Sequence, residues 1–250
     1  MISNKYLYHI WKNLPLQFKR MLDYIICQLS HWKNSEKFNQ LRKGNPDNNY
    51  SLQGFDRLKC IYVHIPKAAG ISINKALFGN YGGGHTTVRT YKRIFGPLTY
   101  KRYFTFTFVR NPYSRLLSAY RFLNEGGFKN NEREWAERNI SKYQSFDEFV
   151  KKWINEKSIW SYNHFKPQYS FVCDISLKPE VDFIGKVESI DEDFEKVCNI
   201  LEIENKLSVH NKSNADTYNW KQYYSNRSLL KVAEIYHHDF NIFNYQPITK

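Results

Sequence analysis

The most regular feature of the chain is a set of short runs rich in aromatic and β-branched residues, each followed by a segment with helical spacing. Two runs are residues 60–64 (CIYVH) and 103–109 (YFTFTFV), and the third is residues 181–186 (VDFIGK). Such runs are typical of short strands in a buried sheet. Because these strands alternate with helices, the pattern predicts an α/β domain with a central, mostly parallel sheet flanked by helices.

Helix-start signals support this alternation. Asn111 precedes Pro112, an arrangement typical of a helix N-cap followed by the first helical residue. Two Ser-x-x-Glu segments, beginning at Ser145 and Ser189, have the spacing of a capping box. Helices are predicted over about residues 71–78 and 112–124, and two more are predicted to begin near residues 146 and 190. The last predicted helix covers residues 229–243.

The first part of the chain has a different pattern. In residues 1–32 aromatic and aliphatic residues are mixed with Lys, Arg and His, whereas residues 34–56 are mostly polar with Gly44, Pro46 and Gly54. We predict a basic helical segment and a linker over residues 1–56, and the main domain over residues 57–250. The basic segment is suited to a membrane surface or a partner, and equally to a peripheral helix packed on the domain.

Composition adds an electrostatic constraint. The formal net charge is +13 and the isoelectric point is about 9.4, so the surface attracts anions. The four cysteines form no CxxC pair, which favours reduced thiols over a disulfide framework. The N-terminal segment has neither a membrane-spanning apolar stretch nor a signal-peptide pattern. We therefore expect a cytoplasmic protein, with membrane association through residues 1–32 left open.

A first anion site is predicted immediately after the first strand, in residues 64–72 (HIPKAAGIS). The small residues Ala68, Ala69 and Gly70 allow the backbone to approach a ligand, and the start of the next helix presents N–H groups to an anion. Lys67 adds a positive charge and Ser72 a hydroxyl donor. The segment is not a Walker A loop, because its lysine precedes the glycine instead of following it.

A second anion site follows the second strand, in residues 110–120 (RNPYSRLLSAY). Arg110 ends the strand at the carboxyl edge of the sheet, where open α/β sheets bind ligands. Its guanidinium can bind an anion with two parallel hydrogen bonds. Ser118 lies two turns into the helix that begins at Pro112.

Together the segments HIPKAAGIS and FVRNPYSRLLSAY resemble the 5′-phosphosulfate loop and the 3′-phosphate motif of the carbohydrate sulfotransferases. These enzymes use the donor 3′-phosphoadenosine 5′-phosphosulfate (PAPS), and the likeness extends from about Cys60 to Tyr245. It implies a P-loop-like nucleotide-binding fold and transfer of a sulfuryl group to a carbohydrate hydroxyl. The implied cofactor contacts are Lys67, Ala68, Ala69, Gly70, Ile71 and Ser72 for the phosphosulfate, Arg110 and Ser118 for the 3′-phosphate, and Lys212 and Ser213 in a late loop. Ala68 departs from the family pattern, which usually has threonine after the lysine.

The resemblance also suggests how the transfer is catalysed. Lys67 is suited to stabilise the leaving phosphate oxygen, and the acceptor hydroxyl requires a general base. His85 lies in a glycine-rich segment after the first helix, where the resembling enzymes often have their catalytic histidine. Arg89 and His164 are candidate contacts for the acceptor, and the mechanism needs no metal ion.

Two other functions use the same features. A nucleotide-dependent phosphotransferase would also need two anion sites, but the sequence contains no convincing apolar run ending in a magnesium-binding aspartate. A module that binds nucleic acid or another polyanion would use the basic charge and the 17% aromatic content, although core packing is the simpler explanation for those aromatics. The expected partner is a carbohydrate, plausibly an acidic one, and not a nucleic acid.

Overall fold

A three-stranded parallel sheet lies at the centre of the protein. The computed structural model describes residues 13–44, 49–128, 130–204, 207 and 219–248. Its strands are β1 (Cys60–Val63), β2 (Phe104–Val109) and β3 (Phe183–Lys186), in the order β1-β2-β3. In the register Tyr62 lies beside Phe106, and Thr107 beside Ile184. The predicted α/β class and parallel sheet are confirmed.

Helices surround this sheet along the whole described chain. In order they are α1 (Leu16–Lys33), α2 (Ser35–Arg42), α3 (Gln53–Leu58), α4 (Gly70–Phe78), α5 (Val88–Phe95), α6 (Pro97–Arg102), α7 (Pro112–Asn124), α8 (Asn130–Asn139), α9 (Phe146–Lys152), α10 (Tyr169–Val172), α11 (Ile190–Ile200), α12 (Asn226–Ile235) and α13 (His237–Ile242). Short 3-10 turns cover Ser158–Trp160, Val187–Ser189 and Trp220–Tyr223.

Local sequence explains where two of the main helices begin. The side chain of Asn111 accepts a hydrogen bond from Tyr113 N, and Pro112 is the first residue of α7. Ser145 Oγ accepts from Glu148 N at the start of α9, while Gln144 N donates to the Glu148 carboxylate. The predicted starts of both helices are confirmed.

The apolar core has two parts, and the functional motifs lie between them. Tyr62, Phe106 and Phe108 are fully buried in the part around the sheet. Phe149 and Phe165 are fully buried in the second part, which packs α7 against α9, α12 and α13. Because α7 follows β2 directly, this helix connects the sheet to the second part of the core.

Helices α2 and α3 form within the predicted linker over residues 34–56, so the linker prediction is wrong at Ser35–Arg42 and from Gln53 onward. Arg42 makes two hydrogen bonds to Asp56, at 2.6 and 2.9 Å, and Phe55 is fully buried. A Cβ atom at Gly54 would lie 2.7 Å from Phe78, so this glycine allows α3 to pack on α4 and does not mark a loop. Tertiary contacts outweigh the polar composition here, and the predicted boundary after residue 56 falls inside α3.

Two further details differ from the prediction. The helix expected over residues 229–243 is divided at Tyr236, where the backbone leaves helical geometry at φ −104° and ψ 22°. The hydroxyl of Tyr236 donates to Phe165 O, which fixes the residue at the break. Helix α11 begins at Ile190 as predicted, but Ser189 Oγ donates to Asp193 instead of capping the helix.

The N-terminal helix α1 packs on α5 and α6. Its residue Cys27 is fully buried, so at least one face of the helix belongs to the folded unit. Among the described helices, none is both long enough and apolar enough to cross a lipid bilayer.

Candidate functional site

The loop between β1 and α4 is held in an unusual backbone conformation. Lys67 and Ala69 both have positive φ angles, 66° and 59°, which place them in the left-handed region. Non-glycine residues in this region are uncommon and cluster at functional sites. Ala69 is also the N-cap of α4 and has no side-chain oxygen to bind the first N–H groups of that helix. The loop therefore presents backbone donors and the positive end of the α4 dipole.

Lys67 extends from this loop into a nearly enclosed position. Its Nζ atom lies 4.1 Å from the centre of the Phe122 ring, a cation–π contact with helix α7. Burial lowers the pKa of Lys67 to about 8, with a further lowering by the charge of Arg110 and a partial compensation from Glu125 and Glu132. The ammonium group is thus kept poorly solvated beside a second cation.

Arg110 comes to the same place from the end of β2. It is 6% exposed, and its Nη1 atom donates to the backbone oxygen of Lys67 at 3.4 Å. Its Nε atom donates to Ser114 Oγ at 3.0 Å. The two predicted anion motifs are therefore in direct contact, as the carboxyl ends of adjacent parallel strands require.

A glutamine fixes the backbone of Arg110. Gln168 Oε1 accepts from Arg110 N at 2.9 Å, and Gln168 Nε2 donates to Arg110 O at 2.8 Å. The backbone N–H groups of Gln168 and Tyr169 in turn donate to the two carboxylate oxygens of Asp239. Burial raises the pKa of this aspartate, and the charge of Arg115 together with these donors opposes the increase.

Arg115 joins the first loop to a second segment across the site. Its guanidinium is almost fully buried and donates to the backbone oxygens of Pro66, His164 and Lys166. An arginine can satisfy several carbonyl groups at once because its donors form a planar fork. The loop between β1 and α4 and the segment containing His164 are thereby held at a fixed separation.

Three histidines form a cluster beside Lys67. The ring of His85 lies 4.7 Å from that of His64 and 5.3 Å from that of His164, with edge-on geometry in both pairs. Phe122 and Tyr162 each stack on His164. His85 is therefore oriented between two imidazoles that belong to different parts of the chain.

Burial keeps the outer two histidines of this cluster neutral. It holds the pKa of both His64 and His164 well below the usual range, and charges on His85 and Lys67 reinforce the effect. Within the described residues, the buried Nδ1 atom of His164 has no hydrogen-bond partner. Such an atom is costly unless a ligand or water satisfies it, which makes this ring a candidate ligand contact.

Most other residues predicted for the site lie on the same elements. Ser118 is buried on α7, Ala68 is buried in the loop, and Ile71 and Ser72 are half-buried in the first turn of α4. Arg89 does not join the cluster through any described contact, because its guanidinium forms an ion pair with Asp23 of α1 at 2.7 Å. Lys212 and Ser213 lie outside the described residues.

Sequence reasoning missed the supporting residues Gln168 and Arg115. Gln168 lies in the segment HFKPQ that contributed to the resemblance, but nothing local indicates that its side chain binds the end of β2. Arg115 had the appearance of an ordinary charged residue on a helix. Only its nearly complete burial in the structure shows that its side chain binds backbone groups inside the protein.

Comparison of the sequence with known protein families identifies the family of this chain. The sequence model of the Sulfotransferase family matches residues 54–246, which is most of the chain and includes both anion loops and the histidine cluster. The chain belongs to the sulfotransferase family. No solved structure matched it. The sulfotransferase is thus a transferase for sulfuryl groups. The match to the family model begins within α3, upstream of β1.

The packing of His64 against Gly70 gives a prediction that requires no ligand. A Cβ atom at position 70 would lie 1.8 Å from His64 Cδ2, so Gly70→Ala should displace the imidazole. We expect the free energy of unfolding to fall by about 1–3 kcal/mol, as for other overpacked sites. Chemical denaturation of Gly70→Ala, His64→Ala and the double variant measures the coupling between the two positions.

The double variant should lose clearly less stability than the sum of the single variants, because His64→Ala removes the clashing ring. Additive losses would show that the two residues do not compete for this space.

Proposed function

We propose that this sulfotransferase moves the sulfuryl group of PAPS to a hydroxyl group of a carbohydrate. The observation that carries the proposal is the direct contact between Lys67 and Arg110, which come from the ends of two adjacent strands. One nucleotide that carries a phosphosulfate at one end and a 3′-phosphate at the other would bridge these two cations.

The residues present are suited to such a donor. Bringing two cations together away from water is unfavourable, and an anion between them relieves this cost. Ala69 to Ser72, at the start of α4, offer backbone N–H groups and the hydroxyl of Ser72 to the phosphosulfate. Arg110, directly after β2, and Ser118 on α7 are suited to bind the 3′-phosphate. Burial, and then the charge of Arg110, lowers the pKa of Lys67, and strongly shifted pKa values of this kind are common at functional sites.

The chemistry that we assign divides between two side chains. When bound, PAPS supplies the sulfuryl group and its phosphate serves as the leaving group. Lys67 holds a positive charge where the bridging oxygen becomes negative, and His85 accepts the proton of the acceptor hydroxyl on a ring nitrogen. The rings of His64 and His164 orient His85, and both are weak bases because burial holds their pKa well below the usual range.

Aromatic side chains beside the cluster support a carbohydrate as the acceptor. Phe122 stacks on His164 and contacts Phe128, which is 73% exposed. Exposed aromatic rings next to a few polar groups are typical of sites that bind small organic ligands. His164, with its unsatisfied Nδ1 atom, is our candidate for a hydrogen bond to the sugar. Arg89 remains a weaker candidate, since Asp23 binds its guanidinium.

Donor binding provides a direct test. Calorimetric titration with PAP, the desulfated product, should show binding that weakens about 10- to 100-fold in Lys67→Ala and in Arg110→Ala, because each removes a charged hydrogen-bond donor. Lys75→Ala is the matched control, since Lys75 is an exposed lysine of α4. Unchanged PAP affinity in the first two variants, or preferential binding of ATP, would contradict the proposed donor site.

The low pKa of Lys67 predicts how PAP affinity depends on pH. Below about pH 8 the lysine is already protonated in the free protein, so affinity should be nearly constant down to about pH 7, where the phosphates of PAP (second pKa about 6) are still fully charged. Above that value binding must take up a proton, and affinity should fall by up to about tenfold per pH unit. Lys67→Arg stays charged throughout and should remove this slope. A slope that persists in Lys67→Arg would assign the titration to another group.

The role of His85 is tested by His85→Asn. Turnover, measured as transfer of radiolabelled sulfate from PAPS to a panel of polysaccharides, should fall by about 10²–10⁴-fold because the general base is lost. PAP affinity should stay nearly unchanged. His237→Asn, at an exposed histidine of α13, is the control. Normal turnover in His85→Asn would remove this residue from the mechanism.

A further inference from the structure

Helix α1 carries a stripe of apolar side chains that is exposed to solvent. The stripe consists of Phe18, Met21, Ile25, Leu29 and Trp32, which follow one another at intervals of three or four residues. Residues at this spacing share one face of a helix. Leu29 is 58% exposed and Trp32 is 78% exposed, so the stripe is not covered by the rest of the described chain.

The opposite face of α1 binds the protein through polar contacts. These contacts are the ion pairs Arg20–Asp174 and Asp23–Arg89, both at 2.7 Å, and the hydrogen bond between His31 Nδ1 and Arg93 O at 2.9 Å. A surface helix normally buries its apolar face and exposes its polar face. Helix α1 has the reverse orientation, and specific charged contacts hold it in that orientation.

The surface around the stripe is basic. Helices α5 and α6, which pack against α1, contain five basic residues and neither Asp nor Glu. Arg89 and Lys92 are paired with Asp23 and Glu180, and Arg93, Lys101 and Arg102 form no described ion pair. Helix α6 also exposes the apolar side chain of Leu98, at 63%. Within α1 the single acidic residue, Asp23, is neutralised by its ion pair with Arg89, whereas Lys19 and Lys33 add positive charge.

We propose that α1 lies in the surface of an anionic membrane, with the apolar stripe among the lipid tails and the basic residues at the headgroups. An apolar stripe flanked by Lys and Arg is the pattern of helices that lie in a membrane surface. A second copy of the chain fits less well, because two basic layers on proteins of net charge +13 would repel each other. The proposal goes beyond sulfuryl transfer and does not depend on it.

Vesicle sedimentation with the full chain tests this proposal. Binding to vesicles of phosphatidylcholine with phosphatidylserine should be strong and should weaken with added salt, whereas binding to phosphatidylcholine alone should be weak. The double variant Leu29→Gln with Trp32→Gln should lose about tenfold or more in affinity for the anionic vesicles.

The matched control is the double variant Ile200→Gln with Leu230→Gln. It changes apolar residues that are 52% and 40% exposed on α11 and α12, outside the proposed surface. All four substitutions are at exposed positions, so thermal melting should show that both variants remain folded. The control should bind anionic vesicles as the unchanged protein does.

Equal loss in both double variants, or no preference for anionic vesicles, would overturn the proposal. Sedimentation equilibrium tests whether a second copy of the chain covers the stripe instead of a membrane. Self-association of the unchanged protein that is lost in the Leu29 and Trp32 double variant would show that it does. Neither result bears on PAP binding, so failure here is distinguishable from failure of the proposed donor site.

Discussion

The contact between two positively charged residues at one edge of a parallel sheet is the constraint on which the site depends, with the Arg110 guanidinium bound to the backbone oxygen of Lys67. Lys67 lies in the loop after β1 and Arg110 directly follows β2, and the pairing of β1 with β2 brings the two residues together. Burial, and then the charge of Arg110, lowers the pKa of Lys67, which shows that the two charges act on each other. The surrounding fold has to hold the two cations in place against that repulsion, so their position is a property of the whole domain.

The structure meets this requirement with a layer of buried polar residues behind the site. Gln168 binds both backbone groups of Arg110, and Asp239 fixes the segment that carries Gln168. Arg115 joins Pro66 of the loop between β1 and α4 to the backbone beside His164. A side chain that satisfies several buried backbone groups is expensive to replace, because its removal leaves each of them without a partner. This layer therefore connects the anion loops to the histidine cluster and gives His85 a defined setting.

Helix α1 packs on the outside of the domain and, unlike most surface helices, exposes its apolar face. Helix α1 contacts α5, the helix that follows the loop bearing His85, through the ion pair Asp23–Arg89 and the hydrogen bond between His31 and Arg93 O. A surface ion pair contributes little to stability, but these contacts and the buried Cys27 all lie on the face of α1 that packs on the protein. The same contacts occupy Arg89, so a residue assigned to the acceptor from its position in the sequence has a structural role in the fold.

Local and periodic features were enough to determine the class of the fold and to predict that the loops after β1 and β2 lie at the same edge of the sheet. The buried strands, the Asn111 cap with Pro112, and the small residues around Lys67 act over a few neighbouring positions, and sequence displays such effects directly. Tertiary structure alone decided the rest. In the polar stretch before β1, the helices are held by the contact of Arg42 with Asp56 and by the burial of Phe55. The last predicted helix is divided at Tyr236, whose hydroxyl binds Phe165 O. The roles of Gln168 and Arg115, like the outward orientation of the α1 stripe, depend on residues distant in the chain, and such long-range contacts leave no periodic trace in the sequence.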